Sequence, residues 1–241
     1  IFSNTTAIIN SRITASNIAI RAVSSNTAQA ESPLTFELKS TPTSWALSFT
    51  ENFPTSFRAR GAAPQNLINR DFRAAAPNEK WLTDITEFQI PAGKVYLSPV
   101  IDCFDGLVVS WSIGTHPNAN LVNTMLDAAI DAVQGSESRP VIHSDRGAHY
   151  RWPGWLSRVH DAKLTRSMSR KGCSPDNAAC EGFFGRLKME LFYPNNWQST
   201  TIEQFIEAVD AYIRWYNEKR IKVSLGLLSP VEYRHKLGLA A

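Results

Sequence analysis

Three carboxylates are the residues of this chain best suited to do chemistry. Asp84 lies in Trp81-Leu-Thr-Asp-Ile-Thr86, Asp145 in His143-Ser-Asp-Arg-Gly147, and Glu181 in Asp176-Asn-Ala-Ala-Cys-Glu-Gly182. Carboxylates drawn from distant parts of one chain can converge on a pair of hard, oxygen-seeking divalent cations. Such a pair activates one oxygen nucleophile and stabilises one leaving oxygen in phosphoryl transfer. Taken singly, a strand aspartate is usually an edge or turn residue, and a helical glutamate is usually solvated. Their value therefore depends on elements that bring them together. The chemistry the pattern points to is cutting or joining of DNA strands.

The hydrophobic pattern supplies such elements. Strands are predicted over residues 80–90, 94–101 and 107–113, separated by Pro91-Ala-Gly93 and Asp105-Gly106, turn chemistries that suit antiparallel hairpins. Residues 120–134 carry helical spacing, with Leu121, Val122, Met125, Leu126, Ala129, Ile130 and Val133 on one face. A short apolar strand over 140–144 ends at Asp145, the rim where α/β folds place ligands. A short helix over 152–160 and a strand over 162–169 follow. Ser174-Pro175-Asp176 reads as a helix start, with Ser as N-cap, and the helix is expected to run to about residue 193. That places Glu181 about two turns in, beside the apolar face of Cys180, Phe184, Leu187 and Leu191. A last amphipathic helix covers 201–220. The expected fold class is α/β, a mixed five-stranded sheet flanked by helices, with a C-terminal helical tail.

Asp84 is expected inside its strand, among Leu82, Ile85 and Phe88. An acid there is costly unless it is paired, hydrogen-bonded or bound to metal. His143 and His149 flank Asp145, but no fourth ligand has the spacing of a zinc site. Asp102 and Asp105 read as turn residues, Trp152 and Trp155 as neighbours of the site, and Asn177 as a ligand or a support for the helix start.

Bulk properties narrow the setting. No apolar run approaches membrane-spanning length, no secretory signal is visible, and three cysteines without a CxxC pair argue against a disulfide framework. A reducing, intracellular setting fits these features. The net charge is +3, unevenly placed: residues 139–241 hold 16 Lys/Arg against 10 Asp/Glu, and residues 1–138 hold 9 against 12. A basic half suits a polyanionic partner. Residues 1–57 differ in texture, with 18 Ser/Thr among the first 55 residues and little basic charge, and are expected to be disordered or out of frame. Residues 58–78 read as an irregular basic approach, 79–195 as the catalytic core, and 196–241 as a helix and tail packing on it.

From about residue 58 onward the chain resembles the integrase-core (DDE) transposases of bacterial insertion sequences, relatives of retroviral integrases. The resemblance rests on Asn69-Arg-Asp-Phe72, the three acid-bearing motifs, Val100-Ile-Asp102 and Ser167-Met-Ser-Arg-Lys-Gly172. It continues in Glu181-Gly-Phe-Phe-Gly-Arg-Leu-Lys188, Trp215-Tyr-Asn217 and Leu228-Ser-Pro-Val-Glu-Tyr-Arg234. It implies a ribonuclease-H-like fold, with Asp84, Asp145 and Glu181 as the catalytic and metal-binding triad. Mg²⁺ or Mn²⁺ is the implied cofactor, as two ions. The implied reaction is hydrolysis at transposon ends, followed by attack of a 3′-hydroxyl on target DNA. Lys188, on the face of Glu181 two turns on, takes the role of a phosphate contact, with Arg166, Arg170 and Lys171 lining the same approach. The implied partners are transposon-end and target DNA and further copies of the chain, with no membrane, in a bacterial cytoplasm at the nucleoid. Members of the family carry a basic helix-turn-helix region upstream, which residues 1–57 do not resemble. Two alternatives follow: a catalytically silent remnant acting as a DNA-binding or assembly module, and a nuclease without strand transfer.

Overall fold

The computed structural model describes residues 63–135 and 139–239. The expectations for residues 1–57 and for residues 58–62 lie outside them.

Six strand segments build one mixed sheet: β1 (Lys80–Thr83), β2 (Thr86–Ile90), β3 (Gly93–Asp102), β4 (Val108–Gly114), β5 (Val141–Ser144) and β6 (Thr165–Met168). β3 is flanked by β4 on one side and by β1 and β2 on the other, all antiparallel. β5 then adds parallel to β1, and β6 parallel to β5. The single strand expected over 80–90 is split in two at Asp84 and Ile85. The register passes through the split unshifted, since Thr83 faces Val100 and Thr86 faces Leu97. Continuing that register sets Pro99 opposite Asp84. Proline has no N–H to donate, so a ladder opens readily where it must cross one. Asp84 therefore stands at a gap in the strand, where the sequence pattern placed it in the interior.

Alternation along the strands sends side chains to two faces, and each face has its own core. On one face, α1 (Ala119–Ala132) and α2 (Pro153–Asp161) bury Val122, Met125, Leu126, Trp155 and Val159 against Trp81, Val100 and Ile142. On the other, α3 (Ala178–Leu187) and α4 (Ile202–Glu218) bury Phe183, Phe184, Leu187, Phe205, Val209 and Ile213 against Leu82, Phe88, Val95 and Ile101. Each large apolar side chain taken from water contributes roughly 1.5–3 kcal/mol. The rings of Phe88 and Phe205 meet edge-on at 5.4 Å, an arrangement that adds to their burial.

Caps set the helix ends. The Asn118 side chain accepts from the Leu121 N–H to start α1, and Thr201 and Gln204 form a reciprocal capping box for α4. Ser229 and Glu232 do the same for α5 (Pro230–Lys236). Within the Trp215-Tyr-Asn217 motif, Asn217 lies against β4, its side chain accepting from Val108 N and donating to Val108 O, both at 2.9 Å. α5 is tied in by charge: buried Arg234 reaches Asp102 at 2.7 Å and Asp105 at 2.6 Å. Asp105 is a turn residue, as expected, and Asp102 is instead the last residue of β3; they accept from the N–H groups of Leu107 and Phe104 respectively. Their ion pairs with an arginine from the far end of the chain are not visible in sequence.

Candidate active site

β1 and β5 run parallel, with Thr83 beside Ser144. The next residue in each is Asp84 and Asp145, so two of the three acids emerge side by side at the carboxyl ends of neighbouring strands. Ligands of open α/β sheets gather at this end. The third acid comes from α3. The helix starts later than Ser174: residues Ser174–Asn177 form a 3₁₀ turn, and α3 begins at Ala178. Glu181 is thus in the first turn of α3, where the helix dipole favours an anion, and not two turns in. Its side chain is exposed, whereas Asp84 and Asp145 are half-buried.

The three acids share one electrostatic neighbourhood. The Asp84 carboxyl is pushed up to about 6, first by burial and then by the negative charges of Asp145 and Glu181. The Ile85 N–H at 2.7 Å and the Asn177 amide at 2.8 Å oppose that rise by donating to its two oxygens. Asp145 accepts from the Gly147 N–H at 2.8 Å. A half-buried carboxyl facing two further carboxylates is a donor set suited to a hard cation, which would relieve both desolvation and mutual repulsion. Among the described residues, no three His, Cys, Asp or Glu side chains are drawn together as a metal-holding group. The donor chemistry fits a divalent ion.

Around the acids lies a polar frame. His143, buried on β5, donates from Nε2 to the Asp176 carbonyl at 3.0 Å, and its Nδ1 lies 2.8 Å from the Ser167 hydroxyl. Only a donor can satisfy a carbonyl, so the network assigns the ring proton to Nε2 and makes Nδ1 the acceptor. Burial lowers the His143 pKa, which agrees with a neutral ring. His143 is therefore a framework residue. His149 meets the Pro117 carbonyl at 2.9 Å and packs edge-on against Trp152 at 4.6 Å. Of the two tryptophans expected near the site, Trp155 is core and Trp152 is half-buried.

The four basic candidates divide into two kinds. Arg166 is half-buried and donates to the Tyr150 carbonyl at 3.1 Å, and Arg170 grips Asp176 through Nε and a terminal nitrogen, each at 2.9 Å. Lys171 is exposed. Lys188 lies with its ammonium 5.4 Å above the Phe88 ring, at the start of a π-helical turn, Lys188–Phe192, that continues α3 to Tyr193. π-turns inside helices are frequent at functional sites.

The mixed sheet with helices on both faces is the architecture of an integrase-type core, and the comparisons place the chain within that class. The chain belongs to the integrase-core family: one family model described as "Integrase core domain" matches residues 74–174, and a second of the same description matches 181–237. The first match holds Asp84 and Asp145, and Glu181 opens the second. The chain is 69% identical over 177 residues to the probable transposase for insertion sequence element IS1353 of Shigella flexneri, covering 73% of this chain and 34% of that protein. It is 41% identical over 174 residues to an uncharacterized transposase-like protein of Haemophilus influenzae, covering 72% of this chain and 79% of that one. The chain thus spans about a third of the Shigella relative. Among solved structures, a simian T-cell lymphotropic virus intasome in complex with a PP2A regulatory subunit aligns with a TM-score of 0.52 at 20% identity, covering 68% of this chain and 56% of that one. At that identity the likeness is one of fold.

Proposed function

We propose that this chain carries the catalytic core of an insertion-sequence transposase, which cuts DNA at transposon ends and joins the freed 3′-hydroxyl to target DNA. One observation carries the reading: Asp84 and Asp145 follow the carboxyl ends of parallel neighbouring strands, and Asp145 and Glu181, the latter in the first turn of α3, both lie within electrostatic reach of Asp84. The names of the relatives support it, since those proteins are described as a probable transposase and a transposase-like protein.

In this reading Asp84, Asp145 and Glu181 hold Mg²⁺ or Mn²⁺, as two ions. When bound, the ions supply activation of an oxygen nucleophile and stabilisation of the leaving oxygen. The chain's own residues orient and screen. Asn177 and the Ile85 N–H fix the Asp84 carboxylate, and the Gly147 N–H fixes Asp145. Lys188 and Lys171 meet phosphates of the DNA backbone, which position the substrate without reading its sequence. Arg166 and Arg170, turned toward the protein, line the same approach. Residues 79–195 form the catalytic core and 196–241 a tail packed on it, and the working form is a homo-oligomer on DNA.

The test is cleavage and joining of a labelled donor-end duplex in Mg²⁺ or Mn²⁺. Asp84→Asn, Asp145→Asn and Glu181→Gln are each expected to remove nearly all cleavage and joining while duplex binding in EDTA persists. Near-wild-type turnover by any of the three takes that residue out of the triad. Cleavage without joined products turns the reading to a nuclease.

A further inference from the structure

Asp176 has no place in the metal chemistry above, yet it is among the most heavily bonded side chains near the site. It is fully buried. Its Oδ1 accepts from Arg70 Nε at 2.8 Å and from an Arg170 terminal nitrogen at 2.9 Å. Its Oδ2 accepts from Arg170 Nε at 2.9 Å and from the Arg170 backbone N–H at 3.0 Å. Its carbonyl receives His143 Nε2. Every strong acceptor of the residue is thus in use. The donors come from three places: the segment before β1, the loop after β6, and β5 two residues ahead of Asp145.

The next residue, Asn177, is 4% exposed and donates to Asp84. Its own Oδ1 is buried with no donor, so the amide is held by the backbone that carries it and by Asp84 alone. α3 begins one residue later and presents Glu181 in its first turn. We infer that Asp176 is a positioning residue for the metal-binding acids: by fixing Asn177 and the start of α3 against β1 and β5, it sets where Asp84 and Glu181 stand. The inference rests on the metal-binding reading of the three acids.

The reach of Arg70 adds an independent reason. Its backbone has φ +65° and that of Asn69 φ +49°, left-handed conformations that side chains adopt at a cost and that persist where surrounding contacts over-determine them. Neighbouring contacts do so here. Leu67 N donates to Ser167 Oγ at 2.9 Å, and Ser167 Oγ is also the partner of His143 Nδ1. Arg70 also lies outside the stretches matched by the family models, which start at residue 74. The segment ahead of the catalytic core therefore reaches the acids through one carboxylate.

The experiment uses the full chain and Mn²⁺ alone, followed by titration calorimetry, with melting temperature recorded beside it. Asp84→Asn is the control that shows whether Mn²⁺ binds at the acids. Asp176→Asn keeps the shape of the side chain and removes its charge, and it is expected to weaken Mn²⁺ binding at least tenfold. Asn177→Ala is expected to do the same, and the double variant to lose clearly less than the sum of the two single losses, because Asp176 acts in part through Asn177. Arg70→Ala leaves Arg170 on Asp176, so the fold survives, and a severalfold weakening is expected. A role in stability alone would lower the melting temperature and leave Mn²⁺ affinity within twofold in Asp176→Asn and Arg70→Ala. That result, or additive losses in the double variant, overturns the inference. If Asp84→Asn binds Mn²⁺ as the unaltered chain does, the metal reading itself fails and this inference falls with it.

Discussion

At the scale of single residues, Asp84 shows how a site can be prepared at the expense of stability. Its carboxyl is pushed up from 3.8 to about 6 by burial and by two acidic neighbours. The folded protein therefore holds that proton more tightly than the unfolded chain does. Its contribution to stability is full below about pH 3.8 and is lost as pH rises through about 6. In the absence of divalent ions, Asp84→Asn should unfold like the unaltered chain near pH 3.5. By pH 7.5 it should be more stable by on the order of 3 kcal/mol, since one pKa unit corresponds to about 1.4 kcal/mol. Urea unfolding in EDTA across that range measures it. Millimolar Mg²⁺ should reverse the order at pH 7.5, because only the unaltered chain gains from binding. Lys188→Ala should weaken duplex binding and reduce its salt slope by about one phosphate contact. An unchanged slope would leave Lys188 as the cation over Phe88 and nothing more. Residue type marks only Asp84, an acid in an apolar strand, whereas Glu181 and Lys188 stand out through the order of the motifs and the family resemblance. The partners of Asp176 were not legible, because Arg70 is 106 residues away and no local pattern marks it.

At the scale of elements, the sequence pattern located every strand and helix that bears an acid, and it erred on how two of them begin or break. The gap at Asp84 follows from Pro99 on the facing strand, a cross-strand effect that reading along the chain does not reveal. The late start of α3 reflects the 3₁₀ turn Ser174–Asn177, from which the Asn177 side chain turns to Asp84 and leaves α3 without a side-chain cap. The α5 clasp was equally hidden. Asp102, Asp105 and Arg234 are all buried, and burial raises the Asp102 carboxyl even with Arg234 opposing that rise. Removing Arg234 would leave both acids buried, with the Lys222 ammonium beside Asp105 as a partial counter-charge. Arg234→Ala should therefore cost about 3–5 kcal/mol in urea unfolding. Arg234→Lys should recover little of it, since an ammonium cannot reproduce the guanidinium fork that serves both acids. A loss under about 1 kcal/mol would mean that water enters the cluster.

At the scale of the whole molecule, the mixed sheet with helices on both faces was legible from the order of elements, and its six segments follow the five expected strands with one divided. The boundary of the folded unit was less so. The irregular residues before β1 are bound to the sheet: Ile68 is 2% exposed, Gln65 O accepts from Met168 N at 3.3 Å, and Arg70 reaches Asp176. Their lack of periodicity hid this, since the contacts come from backbone groups and from single side chains such as Ile68, Arg70, Asp71 and Phe72 at no regular spacing. A fragment cut to the family match, residues 74–237, should therefore melt well below one spanning residues 63–239. It should also bind Mn²⁺ more weakly. Equal melting temperatures would show that the approach segment rests on the sheet without supporting it.

The Arg234 clasp has a further consequence during synthesis. A ribosome adds roughly 5–20 residues each second, and Asp102 is made 132 residues before its counter-ion. For several seconds at least, the hairpin turn holds two acids with no cation to bury them. The sheet can form in that interval but cannot close its turn. A chain released early, by a damaged message or a nick before residue 234, keeps that turn open and exposed to proteases. Sealing of this turn thus waits until residue 234 has been made.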